Sequence, residues 1–115
     1  MAEKQSNSHA KSKVWLVKGE NVVYGDGRQA LLSAIKDTGS IRQAASRLGM
    51  SYRAAWGKIK ATEERLGLEL VSTKAGGNDS GTNLTEAGIE FMKKYEQFKA
   101  ESNDAVDEIH RKYFG

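Results

Sequence analysis

Two rhythms of apolar and polar positions alternate along this chain. Val14 to Tyr24 (VWLVKGENVVY) is dense in β-branched and aromatic residues and is broken by Gly19, Glu20 and Asn21, which predicts a hairpin. The rhythm then turns helical. Asp26 offers an N-cap, and Leu31, Leu32 and Ile35 form the stripe of a helix expected to end near Gly39. Ser40 caps the next helix, whose Ile41, Ala44, Ala45 and Leu48 recur at helical spacing as far as Gly49. Ser51 caps a third, Tyr52 to Leu66, in which Ala55, Ile59, Thr62 and Leu66 fall on one stripe before Gly67 stops it. Alternation returns in Leu68 to Thr73 (LELVST), and Thr82 to Leu84 is expected to pair back antiparallel across the glycine-rich KAGGNDSG.

Thr85 caps the last element, and no breaker stands between Gly88 and Gly115, so one long helix closes the chain. Phe91, Tyr95, Phe98, Ser102, Ala105 and Ile109 step by four and three in a heptad register. A seam of that length on a small protein predicts a homodimer formed through Phe91, Tyr95, Phe98, Ala105 and Ile109. The alternative is packing within the chain. The fold class expected is mainly α with small β hairpins, a winged helix-turn-helix with a long C-terminal dimerisation helix. Its parts are a flexible polar tail over 1–13, the winged module over 14–84 and the long helix over 85–115.

Charge gives these elements a direction. Between Thr38 and Thr62 stand Arg42, Arg47, Arg53, Lys58 and Lys60 without one Asp or Glu, whereas the whole 115-residue chain carries a net +3. A face cleared of carboxylates gains by releasing counterions from a row of phosphates, so double-stranded DNA is the partner this patch predicts. Ala45 and Gly49, four apart, suit the close approach and the turn of a helix-turn-helix. With Ala55 and Ile59 turned to the core, Ser51, Tyr52, Arg53, Trp56, Gly57 and Lys60 are left to face outward, and the start of such a helix enters the major groove.

Arg53 is the best candidate for a base edge, because a guanidinium can donate twice to guanine. Lys58 and Lys60 are assigned to phosphates, Ser40 is counted with the DNA-binding residues, and Arg42 and Arg47 on the preceding helix are either solvated charge or positioning charges at the duplex edge, Arg42 on a phosphate. Tyr52 is placed for a phosphate or a base. Trp56 has two roles open to it, completing the core beside Ile59 or offering a stacking surface to DNA. In the second hairpin Lys74, Gly76, Gly77, Asn78 and Thr82 supply donors and close approach to a sugar-phosphate backbone, although an exposed hairpin without a partner has the same composition. Asp79 at its tip speaks against deep insertion into a minor groove.

Other classes lack their chemistry. There is no cysteine, which removes disulfides and thiolate metal sites and fits a reducing cytoplasm. His9 and His110 stand alone, so neither an active site, a metal site nor a cofactor is expected. Glu63 and Glu64 diverge on their helix and are assigned to solvent. No apolar run reaches the ~18 residues that span a bilayer, and the leader MAEKQSNSHAKSK is polar, either a tail or a basic arm. A winged-helix protein-interaction adaptor without DNA readout is the remaining alternative, but an adaptor has no need to clear its recognition face of acids.

The run GSIRQAASRLGMSYRAAWGKI followed by LELVSTKAGGNDSGTNLTEAG resembles the N-terminal DNA-binding domain of the molybdate-responsive ModE-type transcription regulators, and more distantly LysR-type regulators. Gly39, Ser40 and Ile41 open the first motif helix, Ser51, Tyr52, Ala55 and Trp56 match the start of the recognition helix, and Gly76, Gly77, Leu84, Thr85 and Gly88 match the wing and the helix behind it. The resemblance implies a dimeric regulator binding a near-palindromic operator with one recognition helix per half-site. Regulators of that type carry molybdate-binding domains after this one. A stand-alone regulator governed by its abundance or by a separate sensor protein is therefore the expectation here, with a piece of a longer chain as the alternative.

Overall fold

A computed structural model describes residues 8–74 and 81–115, the Lys74 side chain excepted. In chain order they form β1 (Leu16–Lys18), β2 (Asn21–Tyr24), α1 (Asp26–Thr38), α2 (Ile41–Arg47), α3 (Tyr52–Leu66), β3 (Val71–Lys74), β4 (Gly81–Leu84) and α4 (Glu86–Phe114). The expected fold class holds: a mainly helical chain with two small antiparallel hairpins and a long last helix.

Caps account for most of the boundaries. Ser40 Oγ accepts from the Gln43 amide at 3.1 Å and Ser51 Oγ from the Ala54 amide at 3.0 Å, each satisfying a donor at a helix start. Gly39 and Gly67 close α1 and α3 in the left-handed region, at φ 71° and 69°. At the start of α1 the structure departs from the expected cap. Gly25, not Asp26, is the N-cap, and Asp26 lies in the first turn, where its charge still suits the positive end of the helix. A Cβ on Gly25 would come within 3.2 Å of the Trp15 Cβ, so the close hairpin favours glycine there.

The second hairpin also starts later than the alternation predicts, at Val71 rather than Leu68. Glu63, expected in solvent, is the reason. Its carboxylate accepts from the amides of Leu70 at 2.8 Å and Val71 at 3.2 Å, so the chain leaving α3 is held by a side chain before the ladder begins. Leu68 remains exposed while Leu70 and Val71 are buried.

The chain divides into two compact units, one of Trp15–Met92 and one joining the segment up to Val14 with Lys93–Gly115. In the first, Tyr24, Leu31, Ile35, Ala44, Ala45, Ala55, Ile59 and Leu70 are all but fully buried, and burying each large side chain contributes about 1.5–3 kcal/mol. The first turns of α4 belong to this core. Phe91 meets Tyr24 edge to face at 4.7 Å, Gln29 Nε2 donates to the Met92 carbonyl at 3.1 Å, and Gly88 passes so close to Leu70 that a Cβ would stand 2.4 Å from its carbonyl oxygen. In the second unit the leader is fastened along α4 from Ser8 on. Tyr95 Oη donates to the Val14 carbonyl at 3.1 Å, and Ser12 and Ser8 bond to Asn103 and His110.

The five residues expected to make the dimer seam accordingly separate. Phe91 and Tyr95 are spent on packing within the chain, the latter only 2% exposed, while Phe98, Ala105 and Ile109 stay open to solvent. Tyr113 and Phe114, which the heptad register passes over, are exposed as well.

Candidate nucleic-acid interface

The corner between α1 and α2 is made by only two residues. Thr38 Oγ1 donates to the Ala34 carbonyl at 2.8 Å and accepts from the Ser40 amide at 3.2 Å, which turns the chain sharply after Gly39. The wing is seated on this corner. The Thr82 amide donates to the Gly39 carbonyl at 2.9 Å, and a Cβ on Gly81 would press to 3.0 Å from that same oxygen. A side chain at Gly81 would push the wing root off the motif.

α2 and α3 meet through alanines. Ala44, Ala45 and Ala55 are buried to 1% or less, and Gly49 at φ 70° makes the turn, with the Met50 amide returning to the Ala45 carbonyl at 2.9 Å. The small residues bring the start of α2 beside the start of α3. An open cleft results, walled by Ser40, Arg42 and Gln43 on one side, Tyr52, Trp56 and Lys60 on another, and Thr73 and Gly81 of the wing on the third.

Tyr52 is 40% and Trp56 45% exposed, so neither ring is closed into the core. Each ring carries a cation. The Arg42 guanidinium lies 4.5 Å from the centre of the Tyr52 ring, and Lys60 Nζ lies 5.2 Å from that of Trp56. Ser51, Arg53 and Gly57 are exposed on the same helix, and neither α2 nor α3 has an acidic residue in its first turn. The surface can therefore offer guanidinium donors, aromatic faces and the positive end of a four-turn helix to one polyanion.

Several predicted residues stand elsewhere. Lys58 is two residues from Lys60, and at about 100° per residue it points roughly 160° away. It lines a small pocket with Arg28, Tyr24 and Thr62 instead of the cleft. Thr82 does line the cleft at the wing root, but it is only 5% exposed there. Arg47 reaches back to Asp37 at 3.4 Å, and Lys60 pairs with Glu63 at 3.2 Å, which tempers the free charge assigned to it. Gly76, Gly77 and Asn78 lie outside the described residues, as does the Lys74 side chain.

Sequence reasoning passed over Thr38, Gln43 and Glu63. Gln43 had a signal, one position after Arg42 in the first turn of α2; Glu63 had none, because its partners lie seven and eight residues on. Among the described residues no group of three His, Asp or Glu side chains could hold a metal ion, and no helix is long and apolar enough to cross a membrane.

A recognition helix exposed at its start, braced through alanines by a second helix and flanked by a hairpin, defines a winged helix-turn-helix DNA-binding module. Residues 28–89 match the sequence pattern of the bacterial regulatory helix-turn-helix proteins of the lysR family, and the chain belongs to that family. The matched residues are thus a DNA-binding helix-turn-helix of the kind found in the bacterial regulatory proteins of that family. Among curated proteins the chain is 40% identical over 77 residues to the molybdenum-pterin-binding protein MopB of Rhodobacter capsulatus, covering 66% of this chain and 28% of that one. The molybdenum transport protein ModE of Azotobacter vinelandii is 36% identical over 85 residues (73% and 32%), and the transcriptional regulator ModE of Yersinia pestis 34% over 92 (76% and 34%). The chain spans about three tenths of the length of these relatives.

Two solved structures show the same fold. The CbnR DNA-binding domain in its DNA complex superposes with a TM-score of 0.57 at 22% identity, over 74% of this chain and 93% of that one. The BenM domain bound to benA site 1 DNA gives 0.53 at 20%, over 77% and 96%.

Proposed function

We infer that the chain is a ModE-type regulator that binds a near-palindromic operator as a homodimer, one recognition helix to each half-site. The observation that carries this is the exposed face of α2 and α3: Arg42 on Tyr52, Lys60 on Trp56 and an exposed Arg53 beside the cleft, with no acidic residue in the first turn of either helix. Arg53 reads a base edge, Tyr52 and Trp56 contact bases or sugars, and Arg42, Lys60 and Ser40 hold the backbone on either side. Lys74, Gly76, Gly77 and Asn78, by their residue types, are assigned to the flanking phosphates. Names of the curated relatives support the ModE assignment, and the open Phe98, Ala105 and Ile109 support pairing of two copies through α4. A DNA target and a chain without cysteine support a place in the cytoplasm.

Selection of bound duplexes from random DNA tests the proposal. An enriched palindrome whose half-site centres lie about 10 base pairs, or a multiple of that, apart is expected. Enrichment of nothing would favour the protein-interaction adaptor instead.

A further inference from the structure

On the side of α3 away from the cleft, cations gather without acids. Lys58 and Arg65 are seven residues apart and share an azimuth roughly 140–160° from Lys60. Arg28 Nε donates to Thr62 Oγ1 at 2.8 Å, which fixes that guanidinium beside the same helix face, and Arg65 Nη1 donates to the Val22 carbonyl at 2.7 Å. Among the described residues none of the three forms an ion pair. Burial first, and then the charge of Arg65, lower the affinity of the Arg28 guanidinium for its proton, from so high a starting point that it keeps its charge. Two guanidiniums in mutual repulsion with no carboxylate between them leave a place that an anion would relieve.

The hydrogen bond from Arg65 joins this patch to an apolar one. Val17 and Val22 are cross-strand partners, 56% and 40% exposed, and Trp15 two residues before Val17 is 53% exposed. Three large apolar side chains thus lie open on a two-stranded hairpin that turns Val23 and Tyr24 into the core.

We propose that the Trp15–Val17–Val22 face of the hairpin and the Arg28–Lys58–Arg65 cluster form one docking surface for an acidic amphipathic segment of a partner protein. The partner's apolar side chains cover the hairpin, and its carboxylates receive the donors that Arg28, Arg65 and Lys58 do not use at home. Charge complementarity selects this occupant over another copy of the same face, since two cationic clusters would repel. Because the surface lies across α3 from the cleft, a docked partner leaves the DNA face open.

The test uses the full chain and a fluorescein-labelled helical peptide with Leu and Phe on one face and Glu on the other, followed by anisotropy. Its analogue with Lys for Glu is the control. The Glu peptide should bind saturably, with and without excess duplex DNA, and the Lys peptide should not. Val17→Ser and Arg65→Glu should each weaken it by about tenfold or more while leaving the affinity for DNA within about twofold. Val17 is exposed on a short hairpin, so that variant keeps the test valid if Arg65→Glu fails to fold. Failure of the Glu peptide to bind, undiminished binding by both variants, equal binding of the Lys peptide, or displacement by DNA would each overturn the proposal. So would loss of a dimer in sedimentation on Val17→Ser, which would make a second copy the occupant.

Discussion

The Arg53 guanidinium, exposed one residue into α3, has neither an ion pair nor a hydrogen bond among the described residues, whereas Arg42, Arg47 and Lys60 are each engaged by a ring or a carboxylate. A reading residue gains from being uncommitted before DNA arrives, and a positioning residue gains from being held. Arg53→Ala should therefore cost about 1–3 kcal/mol of operator binding with relaxed preference at one base pair, at unchanged thermal stability. Fluorescence anisotropy against single-substituted duplexes measures it. Glu63 behaves in the opposite way, because its carboxylate is spent on two backbone amides that would otherwise be left unpaired. Glu63→Ala is expected to lower unfolding free energy by about 1–3 kcal/mol in urea, and Glu64→Ala, on the exposed side, to stay within about 0.5 kcal/mol. Sequence alone treated the two glutamates alike, since nothing local distinguishes a carboxylate that meets a strand from one that meets water.

Elements were legible where their own ends announce them. Ser40, Ser51 and Thr85 cap through side chains, Gly39 and Gly67 terminate through positive φ, and each of those signals sits within a few residues of what it controls. The packing partners of α4 were not legible. Phe91 and Tyr95 of its heptad register are consumed within the chain's own packing, and the periodicity that marks a partner helix marks a chain's own core equally well. A seam reduced to Phe98, Ala105 and Ile109 makes a sharper prediction. Phe98→Glu with Ile109→Glu should give a folded monomer in sedimentation equilibrium, its operator binding weakened at least about tenfold through loss of the second half-site. The start of α4 is constrained differently. Gly88→Ala places a Cβ against the Leu70 carbonyl at 2.4 Å, and a loss of about 1–3 kcal/mol in thermal unfolding is expected.

Across the whole molecule, charge is arranged by side. The cleft between α2, α3 and the wing gathers Arg42 and Lys60, with Arg53, seven residues before Lys60, on the same side of α3 outside the cleft lining, and Lys58 lies on the other side with Arg28. The cation stretch visible in the sequence is thus divided, Lys58 from Lys60 above all, because a helix sends residues two apart in nearly opposite directions. That division is the central claim, and the salt dependence of binding to a selected operator duplex tests it most directly. For each phosphate neutralised, log K should fall with log salt by about 0.9. Lys60→Ala should reduce that slope by about 1, and Lys58→Ala should leave it unchanged. A flat salt response, or a slope that drops as much for Lys58→Ala as for Lys60→Ala, would contradict it.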